Sequence, residues 1–223
     1  MIVLLIQKGR VFVYQFIQTV YILLCVGIED MHIREMDFRR DWIAELFHAL
    51  TTAIENIENK IEEIDWFDGI FALEHTETIL GVAFVAAQTY IAGTVADINE
   101  LLGKSKHLTK RQLLELDGGS INNCVTQMQL IDAVANYYKH HDEWVTWQPD
   151  ERNRYTISIL NKCGITEKTE FPCNSAASLL WPEAELGKFH YLLDIMLHWR
   201  KRVFREYAPT HNISLQPTQK PRG

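Results

Sequence analysis

The chain has 223 residues and a mass of 26.0 kDa, enough to bury one sizeable core with an appendage. Its 47% hydrophobic and 23% charged residues are ordinary for a globular protein, and its formal charge of −7 argues against unselective nucleic-acid binding, leaving room only for a local basic patch. Four scattered cysteines (Cys25, Cys124, Cys163, Cys173) with no Cys-x-x-Cys exclude a disulfide framework and a zinc ribbon, and point to reduced thiols in the cytoplasm.

Val11 to Ile28 is 18 residues without a charge, behind Lys8 and Arg10 and ahead of Glu29 and Asp30. That meets the minimum for a spanning helix with its N-terminus inside. Gln15, Gln18 and Thr19 weaken the case, and the β-branched and aromatic content also suits a buried strand. No small-x-small cleavage site follows, and Leu24 before Cys25 is unlike a lipoprotein signal. The domain reads as complete from about Asp37. Three readings of residues 1–36 therefore stay open: a membrane anchor, a packed terminal element, or a mis-called start with translation from Met31 or Met36.

Asp41 is the predicted N-cap of the next helix. Ile43, Phe47, Leu50, Ile54, Ile57, Ile61 and Ile64 follow at 4-3-4-3-4-3 spacing, a seam for packing against another helix. The outer face is acidic, with eight carboxylates against Lys60 between Glu55 and Glu77, and reads as solvated. Glu45 and His48 form a lone Glu-x-x-His without the second copy that a di-metal site needs. After a break around Trp66-Phe67-Asp68-Gly69, a second helix is predicted from about Glu74 to Leu102. Gly81, Ala83, Ala86, Ala87, Ala92, Gly93 and Ala96 let neighbouring axes approach, which makes it the central helix. Asp97 and Asn99 near its end read as surface or cap residues.

Beyond a basic loop at Lys104–Arg111, a brief helix over Thr109–Leu116 stops at Gly118-Gly119. Ser120 or Asn122 is then the predicted cap of a long helix running from Cys124 to Trp147. Asp132, Asn136 and His140, four apart, with Glu143 three further on, make one polar stripe on it. Gln148-Pro149-Asp150 caps a helix that reaches Cys163, and Gly164-Ile165 closes it. Thr166 to Leu180 reads as a turn-rich connection with an Asn174 cap. Pro182-Glu183 opens the last helix, whose buried stripe is Leu186, Phe189, Leu193, Met196, Val203 and Tyr207. Arg200, Lys201, Arg202 and Arg205 near its end suit the helix dipole or a phosphate-binding patch. The expected fold is all-α, a bundle of four to six helices over residues 37–207 with a disordered tail over 208–223.

The one dense run of protonatable groups is Lys139-His140-His141-Asp142-Glu143. Adjacent histidines point about 100° apart on a helix, so they do not share a metal, and no second cluster is present to complete one. No metal or cofactor is expected. RNA cleavage without a metal needs a base for the 2′-hydroxyl, an acid for the leaving oxygen and a cation for the phosphate. Asn136, Lys139, His140, His141 and Glu143 are the catalytic candidates, with Lys139 on the phosphate and a histidine moving the proton. The competing reading has the histidines closing a helix beside Trp144 and Trp147.

A helical core with a polar, His-bearing helix, and the run Ala135 to Trp144, resemble the HEPN superfamily of prokaryotic helical domains over roughly residues 40–207. The resemblance implies an RNase, or the partner of one, in toxin–antitoxin or antiviral defence, acting as a homodimer. The family motif, Arg and His with four to six residues between them, is missing at His140 and His141; the one literal match is Arg205 with His211, five residues between. That departure leaves an altered site, with Lys139 for the arginine, or a non-catalytic bundle. The alternative function is a non-enzymatic helical interaction module, anchored to a membrane through residues 11–28.

Overall fold

A computed structural model of the chain describes residues 37–63, 69–103, 106–116, 119–144, 146–182, 185 and 187–207, and contacts divide the chain after Phe38. The expectations for the N-terminal segment, the Trp66–Asp68 break, Ile64, Lys104, Gly118, Glu183, Leu186, His211 and the tail fall outside the described residues. Among those described, seven α-helices and one two-stranded hairpin form an all-α bundle. In order they are α1 (Phe38–Glu63), α2 (Gly69–Leu102), α3 (Lys110–Leu114), β1 (Ser120–Asn122), β2 (Val125–Thr126), α4 (Gln127–His140), α5 (Arg154–Lys162), α6 (Pro172–Leu180) and α7 (His190–Tyr207).

The long apolar α2 is the centre, packed by α4, α6 and α7. Leu80, Ala83, Phe84, Ala87, Ile91 and Ile98 are buried on it, each large side chain contributing about 1.5–3 kcal/mol. By length and composition alone α2 is apolar enough to cross a membrane; here half of its most apolar window is buried inside the bundle. It starts at Gly69, five residues before the predicted start. The small residues do what their spacing suggests at Gly81, where an added Cβ would lie inside the Tyr138 ring of α4. Gly81→Val is therefore expected to cost at least about 1–3 kcal/mol by overpacking, measured by urea unfolding. Gly69→Ala, with nothing within 4 Å of the new methyl, should leave the midpoint almost unmoved.

On α1 the seam is only half used. Ile43, Phe47 and Ile54 are buried, while Leu50, Ile57 and Ile61 are half-buried. The reason is what meets it. The turn before α7 docks on the middle of α1, with the Thr51 hydroxyl donating to the Gly187 carbonyl (3.0 Å), Phe47 against Phe189 (5.8 Å between rings) and Lys188 paired with Glu55 (2.9 Å). Gly187 has φ +88°, and a Cβ there would stand 2.7 Å from Ile54, so the turn requires glycine. The last helix accordingly begins at His190 rather than at Pro182. Its buried face includes Leu192 and Trp199, which the predicted stripe omits; the Trp199 indole donates to the Leu113 carbonyl (2.8 Å). Asp41 lies inside the first turn of α1 instead of capping it.

The structure corrects two further boundaries. Ser120 and Asn122 belong to the hairpin, and the cap of α4 is Thr126, which exchanges side-chain and backbone hydrogen bonds with Gln129. α6 stands where the sequence predicts a turn-rich connection. Its N-terminus is held by α2: the Glu77 carboxylate accepts from the Cys173 and Asn174 backbone N–H groups (2.7 and 2.9 Å). An acceptor 96 residues away gives no local signal. The expected end of α5 does form, with Gly164 at φ +79° and the Ile165 N–H returning to the Leu160 carbonyl (3.0 Å).

Candidate functional site

Past the Thr126–Gln129 capping box, α4 runs 14 residues to His140 and tightens into a single 3₁₀ turn over His141–Glu143. The chain then folds back through Asp150, whose carboxylate accepts from the backbone N–H groups of Arg152 (2.7 Å) and Asn153 (2.9 Å). Those two bonds, with Arg152 and Arg154 nearby, hold the Asp150 carboxyl below its usual range. Between α4, this turn and α5 lies a cleft of about 300 Å³ lined by Asn136, His140, Glu143, Trp144, Asp150, Arg152 and Thr156.

Three of the five predicted catalytic residues, Asn136, His140 and Glu143, meet in this cleft. The His140 Nδ1 sits 3.2 Å from Glu143 Oε1, while its Nε2 has no partner among the described residues. With the two side chains 48% and 68% exposed, the pair orients the imidazole more than it stabilises the fold. The cation of the cleft is Arg152, which the sequence reading missed. Its signal was there: an Asp-x-Arg after proline, where the aspartate closes a turn and sets the arginine two residues on.

The other two candidates go elsewhere. Lys139 donates to the Gln88 side-chain carbonyl at 2.6 Å, so its ammonium joins α4 to α2 instead of lining the cleft. His141 turns away from His140: its Nδ1 faces the Tyr138 carbonyl (3.2 Å), its Nε2 the Asp142 carboxylate (3.1 Å), and its ring stacks on Tyr137 (5.0 Å). Trp144 and Trp147 complete that aromatic cluster, as expected for side chains packed beside the histidines. Burial, reinforced by the neighbouring Cys173, Glu77 and Asp142, pushes the Tyr137 phenol up to about 12. The expected continuous stripe also splits, since Asp132 is buried and paired with Lys110 (2.8 Å) while His140 is exposed.

The basic end of α7 does not reach the cleft. Arg200 is buried, with its guanidinium on Thr94 (2.9 Å), on Asp97 (2.9 Å) and over the Phe204 ring (4.8 Å). It is a structural cation and leaves the proposed phosphate patch, in which Lys201, Arg202 and Arg205 remain exposed. Asp97 is correspondingly no surface residue: it also holds Arg39 of α1 (2.5 Å). Asn99 does act as a loop cap, bonding both the N–H and the carbonyl of Leu108 (2.7 and 2.8 Å).

A second, wider hollow of about 530 Å³ lies between the hairpin and α5, with Arg111 over the Tyr155 ring (4.3 Å) and Cys124 among its lining residues. It holds no histidine and one carboxylate, Glu115, whereas the smaller cleft brings a histidine and a carboxylate into contact. Among the described residues no group of three or more His, Cys, Asp or Glu side chains converges on a metal position.

The thiols of the described residues differ sharply. Cys124 is exposed, burial pushes Cys163 up to about 11, and burial beside Glu77 pushes Cys173 higher still. Iodoacetamide at pH 8 should label Cys124 first, Cys163 slowly because only about one thiol in a thousand is ionised, and Cys173 on unfolding. Moving to pH 10 should speed Cys163 labelling by about a hundredfold. Peptide mapping reads both, and early labelling of Cys173 would contradict the packing of α6.

No known protein family, no curated protein and no solved structure matches the chain.

Proposed function

We propose that the chain is a HEPN-like bundle of a bacterial stress or phage-defence system, acting on RNA in the cytoplasm as a metal-independent endoribonuclease, as a homodimer or with a protein partner. The observation that carries the reading is the His140 imidazole, held at Nδ1 by Glu143 and open at Nε2, in one cleft with Arg152. Attack by a ribose 2′-oxygen on the adjacent phosphorus forms the 2′-O–P bond and breaks P–O5′. His140 Nε2 takes the 2′-hydroxyl proton, and the imidazolium so formed returns it to the leaving O5′. Arg152 and Asn136 face the non-bridging oxygens, where charge grows in the transition state. Trp144 offers a ring on which a base stacks.

The test is incubation of the purified chain with end-labelled RNA in EDTA. Cleavage that leaves a 2′,3′-cyclic phosphate and a 5′-hydroxyl is the expected result. Intact RNA, or cleavage that needs added metal, contradicts it.

A second reading, a non-enzymatic interaction module, is favoured by one feature. Trp42 (68% exposed) and Leu46 (40% exposed) stand one turn apart on α1, an apolar pair of the kind that partner helices cover. In that case membrane attachment through residues 11–28 is the companion proposal.

A further inference from the structure

Asn136 enters the cleft from α4 already committed to one orientation, and the residue that commits it lies on another helix. Gln88 sits in the middle of α2, buried, with its amide between Asn136 and two neighbours of fixed hydrogen-bonding sense. Lys139 Nζ, 2.6 Å from Gln88 Oε1, is donor only. The Asp132 carboxylate, 2.6 Å from Gln88 Nε2 and itself paired with Lys110, is acceptor only. The two together fix which end of the Gln88 amide is oxygen and which is nitrogen. Gln88 Nε2 has a second hydrogen, and Asn136 at 2.9 Å takes it, nearer than the Asp132 backbone carbonyl at 3.3 Å. What accepts it on Asn136 must be Oδ1. Asn136 Nδ2 is then the end left for the cleft, and it has no partner among the described residues.

We infer that the cleft is a hydrogen-bond-donating seat for one singly charged phosphodiester oxyanion, with Gln88 as the positioning residue that turns the Asn136 amide N–H groups toward it. The inference rests on reading this cleft as the working site, and it names the ligand chemistry that the site takes.

The charges of the cleft, one guanidinium against two carboxylates, disfavour any ligand with more than one negative charge. Of its two carboxylates, Glu143 faces His140, and Asp150 is taken up by two backbone N–H groups. Arg152 is exposed, with no ion pair among the described residues. One guanidinium and one oriented amide match a phosphodiester, which presents two equivalent non-bridging oxygens. A polyphosphate would bring further charge against Glu143 and Asp150.

The probe is dimethyl phosphate, a phosphodiester without base or sugar, titrated into the full-length ¹⁵N-labelled chain while the side-chain amide signals are followed. The Asn136 pair is identified by its loss in Asn136→Asp. In the wild type this pair should move with dimethyl phosphate and saturate. Gln88→Glu removes the donor and offers Asn136 an acceptor, so Nδ2 turns inward and the dissociation constant should rise at least about tenfold. Gln88→Met, of similar length and uncharged, keeps α2 packed without orienting Asn136, and should fall between the two. Amide spectra of each variant establish that it is folded. Should Gln88→Glu fail to fold, Gln88→Met binding as tightly as wild type overturns the inference.

An Asn136 pair that stays still while the probe shifts other cleft signals also overturns it, as does absence of any dimethyl phosphate binding. RNA left intact by a chain that binds dimethyl phosphate in the manner described would retire the ribonuclease and leave the anion seat standing. The opposite pattern, cleavage without dimethyl phosphate binding, would retire the seat alone.

Discussion

Asp97→Ala is expected to lower the folding free energy by about 3–5 kcal/mol, a large part of what holds an ordinary domain together. Asp97 is the acid between two arginines, Arg39 from α1 at 2.5 Å and Arg200 from α7 at 2.9 Å. The two contacts are unequal. Arg39 is 42% exposed, and truncating it alone should cost only about 0.2–1 kcal/mol. The Arg200 side chain is 4% exposed and takes the Asp97 carboxylate at 2.9 Å, so Asp97→Ala strips that acid from a guanidinium inside the bundle. Desolvating a charge is costly and replacing the pair by apolar groups is not, so adding Arg200→Met to Asp97→Ala should recover much of the loss. Urea unfolding of the three variants checks the order. If Asp97→Ala costs no more than Arg39→Ala, Arg200 is not the buried charge described here.

The second large effect is on chemistry. His140→Ala should slow RNA cleavage in EDTA by about 10²–10⁴-fold, the usual range for a general acid–base group. His141→Ala should stay within a few-fold of the wild type. The two neighbours differ because α4 ends between them: His140 completes the helix and opens into the cleft, whereas His141 begins the 3₁₀ turn and lies on Tyr137. Glu143→Gln keeps a side chain near His140 Nδ1 but removes its charge, and belongs between these extremes. Single-turnover rates on one labelled RNA measure all three. Equal losses in the two histidine variants would mean that the fold around the turn, and not proton transfer at His140, had been disturbed.

How far the residues announce this arrangement depends on whether their partners are local. Helices with caps inside their own sequence are legible: Thr109 with Gln112, Thr126 with Gln129, and Gly164 with Ile165 are short-range signals, although Thr126 was passed over for Ser120 and Asn122. The helical rhythm of α1 and the small residues of α2 likewise carry the all-α fold. α6 is hidden because its cap, Glu77, comes from α2. The start of α7 is misplaced because Pro182 is a good helix opener locally, while the Thr51 and Ile54 side chains that require a glycine turn at 187 lie on α1.

The site follows the same division. Asn136, His140 and Glu143 share a helical face, so spacing alone brings them together. Lys139 points elsewhere because of Gln88, 51 positions away, and Arg200 because of Thr94 and Asp97. Gln88 itself was detectable as the one amide side chain between Thr78 and Asp97 on an otherwise apolar helix, where an unpartnered polar group would be destabilising.

The most direct measurement is RNA integrity in cells induced for the full chain, beside cells induced for His140→Ala at matched protein level. Fragmented RNA and arrested growth with the wild type, both absent with His140→Ala, are what the ribonuclease account predicts. Intact RNA in both, or equal fragmentation in both, would contradict it and turn attention to the exposed Trp42 and Leu46 face as the surface through which the protein acts.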